Sequence, residues 1–243
     1  MAVIAIYSMK GGVGKSCTAV NLAWNSATNS SRRTLVWDLD PQSAASFILN
    51  GDRHKNDRAQ AMIGGDIKPA KLIKPTKIEN LDLLAADVSL RGLDRFFFDL
   101  NKKKHLGKIL RELKKDYDRI ILDCPPGLTE TSEQILRNAD LVIVPVIPSP
   151  LSERALLDVQ RFLDAKRRKH APLLPVYNMV DRRRTIHKET LAKNPKWPTI
   201  PMSSDVERMT RIKRPVGEFA PHSPSVMAYD KIWRGIERKL SKL

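Results

Sequence analysis

Short apolar runs alternate along the chain with longer segments of helical periodicity, and that alternation sets the fold class. Residues 3–7, 34–37, 119–122, 141–146 and 174–177 are rich in β-branched or aliphatic side chains without apolar–polar alternation. Strands buried on both faces read this way. Ala19, Val20, Leu22 and Ala23 mark a helix after the first strand. Ala155, Leu156, Val159, Phe162 and Leu163 share one face of another. Ser152 is placed to cap its start, and Lys166-Arg167-Arg168-Lys169 lies at its end, where the helix dipole is negative. The pattern predicts an α/β fold, a doubly wound, mostly parallel sheet with helices on both faces. Residues 50–77 are charged and weakly periodic and read as a loop-rich insertion. Residues 1–243 read as one domain without a linker.

Composition narrows the class. A chain of 243 residues with 42% hydrophobic and 6% aromatic content can bury one large, mostly aliphatic core. It has no apolar run of the ~18 residues that a membrane span needs. Its start, Met1-Ala2-Val3-Ile4-Ala5-Ile6-Tyr7, lacks the basic stretch and cleavage site of a signal peptide. Cys17 and Cys124 stand far apart in no ligand spacing and read as buried structural thiols in a reducing compartment. The expectation is a cytoplasmic protein. Lys and Arg total 43 against 27 Asp and Glu, a formal +16, with pI near 10.0. That excess suits a polyanionic partner, either nucleic acid or an anionic membrane surface; a merely solvated basic surface is the bland alternative.

The chemistry concentrates in Met9-Lys10-Gly11-Gly12-Val13-Gly14-Lys15-Ser16, between the first strand and the first helix. Glycines there let successive backbone N–H groups turn toward phosphate oxygens, and the helix start adds its partial positive charge. Lys15 is placed for the β and γ phosphates and the Ser16 hydroxyl for magnesium. The strict phosphate-loop pattern wants glycine where Met9 stands; the variant with the additional Lys10 fits. Asp38 and Asp40 end the second strand at alternate positions, so they point the same way. One suits magnesium's water shell and the other an attacking water. Asp123 ends the strand Ile120-Ile121-Leu122 in the Walker B manner, at the sheet edge that faces a ligand crevice.

On these motifs the chain resembles the ParA/MinD family of deviant Walker A P-loop ATPases. Lys10-Gly11-Gly12-Val13-Gly14-Lys15-Ser16 matches the family's phosphate loop. Asp38-Leu39-Asp40-Pro41-Gln42 resembles its switch I, and Asp123-Cys124-Pro125-Pro126 its Walker B and switch II. The likeness runs over nearly the whole chain. It implies ATP and Mg2+ as cofactors, slow ATP hydrolysis, an ATP-dependent homodimer and stimulation by a ParB-like or other partner protein. Lys10 would cross to the partner subunit's phosphates. Lys15, Ser16 and Cys17 would line the phosphates, Ser16, Asp38 and Asp123 would serve magnesium, and Asp40 would position the hydrolytic water. Asn178 would read adenine, with Pro201 and Met202 closing on the base. Cys17 departs from the family's usual Thr or Ser.

Within that family the positive charge favours the ParA branch. It binds DNA nonspecifically and positions plasmids, chromosomes or protein cargos, which implies nucleoid association. Met202-Ser203-Ser204-Asp205 replaces an arginine-containing stretch of chromosomal relatives. The candidate DNA groups are therefore Arg208, Arg211, Lys213 and Arg214, the cluster Arg182-Arg183-Arg184, and the run from Lys166 to Lys169. Asn178-Met179-Val180-Asp181 is similar to a guanine reader, but Met179 stands where the stacking lysine belongs, so ATP is expected. Residues 231–243 form a basic amphipathic helix. A helix packed on the core is the adopted reading, and a MinD-like membrane anchor is the alternative.

Overall fold

The computed structural model describes residues 1–49, 58–99, 104–165 and 170–242. The apolar runs become β1 (Ala2–Ile6), β2 (Thr34–Asp38), β5 (Arg119–Asp123), β6 (Leu141–Val146) and β7 (Leu173–Val180). They are joined by β3 (Ile73–Pro75), β4 (Leu81–Leu84) and β8 (Thr199–Pro201). The eight strands form one sheet in the order β3-β4-β2-β5-β1-β6-β7-β8, parallel throughout except β3 against β4. The helices are α1 (Lys15–Trp24), α2 (Ala44–Ile48), α3 (Arg58–Gly64), α4 (Leu93–Phe98), α5 (His105–Leu113), α6 (Glu130–Asn138), α7 (Pro150–Ala165), α8 (Thr185–Lys193), α9 (Ser204–Ile212), α10 (Val216–Phe219) and α11 (Pro224–Leu240).

The central strands are apolar between their ends because alternate side chains enter different cores. Val3, Ala5, Tyr7, Leu35, Trp37, Ile120 and Leu122 face one side with Phe97, Leu110, Ile135 and Val159. Ile4, Ile6, Val36, Ile121 and Ile143 face the other with Val20, Leu22, Met209 and Trp233. This is the doubly wound architecture, with helices on both faces. It places the carboxyl ends of β1, β2 and β5 side by side, since Ile6 and Asp38 are both in register with Asp123.

Two sequence expectations change. The part of residues 50–77 that the structure describes holds helix α3 and the whole of a short edge strand, β3. That strand escapes notice because it is three residues long, half exposed and ends in proline. The helix around Val159 begins at Pro150, so Ser152 lies in its first turn; its N–H donates to the Ser149 carbonyl at 3.0 Å. Proline suits a first helical position, where its missing donor leaves nothing unpaired. The run of residues 166–169 lies outside the described residues.

The C-terminal amphipathic face is covered. Tyr229, Ile232, Trp233 and Ile236 of α11 are at most 3% exposed and join the core beside α1. The Trp233 indole donates to Ser30 Oγ at 2.8 Å. The packed reading therefore holds in this structure, and Met227 is the large apolar side chain that α11 leaves exposed. No helix among the described residues is long and apolar enough to cross a membrane. Trp233→Ala, which removes both the ring and that hydrogen bond, should destabilise the chain by about 3–5 kcal/mol, read as a lower denaturation midpoint in urea.

Candidate functional site

β1 carries the chain into the glycine loop with its last peptides tied to the sheet. Tyr7 donates its N–H to Ile143 and its hydroxyl to the Gly127 carbonyl at 2.9 Å. Gly12 and Gly14 have φ of 71° and 85°, left-handed values that glycine adopts without Cβ strain. Gly14 is the N-cap of α1, with no side-chain cap and no acidic residue in the first turn. The leading N–H groups of α1 therefore lack intrahelical partners. An uncapped helix start behind a glycine loop is suited to an anion. Lys15 is buried, with its Nζ 3.4 Å from the Lys10 carbonyl. Lys10 itself lies on its own chain, its Nζ 3.4 Å from Ser152 Oγ at the start of α7.

Three carboxylates close the other side. Asp38 is fully buried. Its Oδ2 accepts the Ser46 N–H at 2.9 Å and the Ser46 hydroxyl at 2.7 Å, and its Oδ1 accepts the Asp40 N–H at 3.1 Å. Burial pushes its pKa up to about 6, and the Ser46 donors hold it back from rising further. Asp38 thus fixes the loop that follows β2. Asp40 accepts the Gln42 N–H at 2.9 Å on one oxygen.

Asp123 is the exception. It is fully buried, and neither carboxylate oxygen has a hydrogen-bond partner. Burial raises its pKa well above the carboxylate norm and Asp38 adds to the rise. Ser16 and Lys15 work against it, the Ser16 hydroxyl lying close without a hydrogen bond of good geometry. A buried carboxylate without donors is costly unless something positive reaches it. Orphaned oxygens beside a serine hydroxyl are hard ligands, which fit a divalent cation such as magnesium. No cluster of three or more His, Cys, Asp or Glu groups suited to a metal occurs among the described residues. A cation held here would therefore complete its shell with phosphate and water oxygens. Cys17 has its thiol pushed up to about 11 by burial and by Asp123; Cys124 is buried and shifted the same way. Burial thus favours the neutral thiol at both, the less nucleophilic form.

The predicted base-side residues gather at the ends of β7 and β8. Asn178 lies against the phosphate loop. Pro201 pairs with Val180, and Met202, 58% exposed, donates its N–H to the Val180 carbonyl. The predicted basic groups stand apart from this centre. Arg182, Arg183 and Arg184 are exposed before α8, with Arg183 paired to Asp181. Arg208 pairs with Asp205 and stacks over Phe219; Lys213 lies over the half-exposed Phe47. Arg211 and Arg214 are exposed on the same stretch, and Lys166 to Lys169 fall outside the described residues. Sequence reasoning missed Ser46, eight positions beyond Asp38, and the contact between Ser152 and Lys10. Neither belongs to a motif, and only folding brings them in.

The buried carboxyls make stability depend on pH. A carboxyl whose folded pKa exceeds its unfolded value favours the folded state while protonated. For Asp38 that contribution is full below 3.8 and is lost as pH rises through about 6. Asp123→Asn should therefore stabilise the nucleotide-free chain at pH 7.5, by about 1–3 kcal/mol. It should also flatten the fall in thermal midpoint between pH 4 and 7, measured by calorimetry, while abolishing any stabilisation by magnesium nucleotide.

Comparison with known proteins places this geometry. A family model described as an AAA domain matches residues 1–174. The sporulation initiation inhibitor protein Soj of Bacillus subtilis is 34% identical over 146 residues, which cover 59% of this chain and 57% of Soj. The virulence plasmid ParA family protein of Chlamydia psittaci is 31% identical over 166 residues, covering 67% of this chain and 63% of that protein. The chain thus spans less than two thirds of the length of these curated relatives. Among solved structures, an ATP complex of a Cyanothece McdA variant superposes with a TM-score of 0.84 at 20% identity, covering 99% of this chain and 96% of that one. A cobyrinic acid a,c-diamide synthase from Mycobacterium smegmatis, with bound ATP analog and magnesium, gives 0.81 at 26% identity, covering 99% and 96%. Phosphate loop, strand-end carboxylates and matched sequence agree: the chain belongs to the ParA/MinD family of P-loop ATPases.

Proposed function

We propose that the chain is a ParA-type positioning ATPase, which closes as a dimer on Mg·ATP, holds DNA without base readout and releases it after partner-stimulated hydrolysis. The observation that carries the nucleotide part is Asp123, whose two unpartnered oxygens lie buried beside Ser16 and Lys15. Such an arrangement is costly alone and becomes favourable with a cation and phosphates in place. The phosphate loop and Lys15 would hold the triphosphate, and Ser16 and Asp123 the magnesium. Bound there, magnesium would neutralise charge on the phosphate oxygens. Asp40, on the loop braced by Asp38, would orient the attacking water. Lys10 would leave Ser152 and reach the neighbouring subunit's phosphates. ATP can drive this closure only by binding the dimer-competent state better than the other.

The DNA part rests on charge and kinship. An excess of 43 basic over 27 acidic residues suits salt-sensitive phosphate contacts. A relative from Chlamydia psittaci is a virulence plasmid protein of the ParA family. The rival membrane-attached reading is weakened by the buried apolar face of α11.

Two experiments test the reading. In calorimetry Lys15→Ala should lose Mg·ATP binding, whereas Asp40→Ala should keep it and lower turnover about a hundredfold or more, the scale of a lost general base; normal turnover in Asp40→Ala would remove Asp40 from the mechanism. In a mobility shift, DNA should be retarded with ATP and not ADP, with retardation falling steeply as salt rises. Absence of any shift would remove DNA from the reading and leave the nucleotide site standing.

A further inference from the structure

One buried amide touches the phosphate loop in a way the motif does not foresee. Asn178, near the end of β7, is 4% exposed. Its Nδ2 donates to the Val13 carbonyl at 2.8 Å, and its Oδ1 accepts the Met179 N–H at 3.0 Å. Met179 has a φ of 55°, a left-handed value that is unusual for a residue with a side chain. Backbone groups therefore grip the amide at both ends, so its plane cannot turn without breaking a bond. On the loop side, a Cβ at Gly14 would collide with the Asn178 amide nitrogen. The bare glycine is what lets Asn178 reach Val13. The other polar side chain at this strand end, Asp181, already has both carboxylate oxygens on the Arg183 guanidinium, at 2.9 and 3.0 Å.

The consequence follows from peptide geometry. In a trans peptide the carbonyl and the next N–H point in opposite directions from one rigid plane. Holding the Val13 carbonyl toward Asn178 therefore aims the Gly14 N–H the other way. We propose that Asn178 is a positioning residue of the phosphate loop: it fixes the Val13–Gly14 peptide so that the Gly14 N–H meets the phosphate chain, and its effect on nucleotide affinity runs through the phosphates rather than the base. This rests on the reading that the loop takes a triphosphate, and it reassigns the residue expected to read adenine. The amide keeps a second N–H and its oxygen a second lone pair, so a base contact is chemically open and the test must separate the two roles.

The separating probe is a ligand without a base. Isothermal calorimetry would compare wild type and Asn178→Ala for Mg·ATP and for Mg·tripolyphosphate, with the thermal midpoint of each protein recorded. The expected result is an equal loss for both ligands, about tenfold, the scale of one hydrogen bond to a buried carbonyl. A tenfold loss for Mg·ATP with tripolyphosphate changed by less than about threefold would make Asn178 a base reader and overturn the proposal. Unchanged affinity for both ligands would overturn it as well. If Asn178→Ala fails to fold, Asn178→Ser, whose hydroxyl is too short to reach Val13, gives the same comparison. Failure of wild type to bind either ligand would refute the proposed function itself, a result separate from any difference between variants.

Discussion

Two buried carboxylates at the ends of adjacent strands, Asp38 and Asp123, define what the rest of the site must do. They are in register across β2 and β5 and fully buried; burial raises the pKa of both, and Asp38 adds to the rise at Asp123. Their answers to burial differ. Asp38 collects three donors from its own chain, which makes it a brace. Asp123 collects none, so its charge must be met by Lys15, Ser16 and whatever they hold. A site with one carboxylate satisfied and its neighbour left open is anchored and incomplete at once, as a place for a cation should be.

The sheet makes that pairing possible. A parallel strand order brings carboxyl ends together along one edge, and two-sided burial gives each strand end a low-dielectric setting. β1 adds the glycine loop between β5 and β6, and α1 starts directly behind it. The C-terminal helix contributes from a distance. Trp233 and Ile236 pack in the same core as Ala19, Val20 and Leu22 of α1, so the helix bearing Lys15 is seated on the last segment of the chain. Charge on the outer surface has no part in this frame, which is why the basic clusters are separable from the nucleotide site.

How much of this could be read beforehand follows from where the information lies. The central strands were legible because two-sided burial demands consecutive apolar residues between the strand ends. The phosphate loop was legible because its chemistry needs glycines and a lysine in fixed succession. β3 and β8 were not, since three-residue strands leave no periodicity to detect, and Asp82 interrupts β4 while bonding the Tyr117 hydroxyl at 2.6 Å. The contact of Asn178 with the phosphate loop was hidden for a different reason. A motif records which residue stands near a ligand, but hydrogen bonds decide which atoms are already engaged, and the Val13 carbonyl is 165 positions away in sequence. Ser46, and the contact between Ser152 and Lys10, were invisible on the same ground.

The strengths of these contacts sort the site into fixed and movable parts. Asp38 is held by Ser46 through two bonds to a carboxylate, at 2.7 and 2.9 Å, and charge-assisted bonds of that length are strong. Tyr7 ties its hydroxyl to Gly127 at 2.9 Å and Asn178 ties Val13 at 2.8 Å. Against these, Lys10 reaches Ser152 Oγ at 3.4 Å, a long bond from a half-buried ammonium to a neutral oxygen. Little free energy is lost when such a contact breaks, and a phosphate offers a full negative charge in exchange. The loop is therefore the fixed part and Lys10 the movable one, and on the proposed function its contact on α7 and a contact with phosphate would be alternatives between which a bound triphosphate decides.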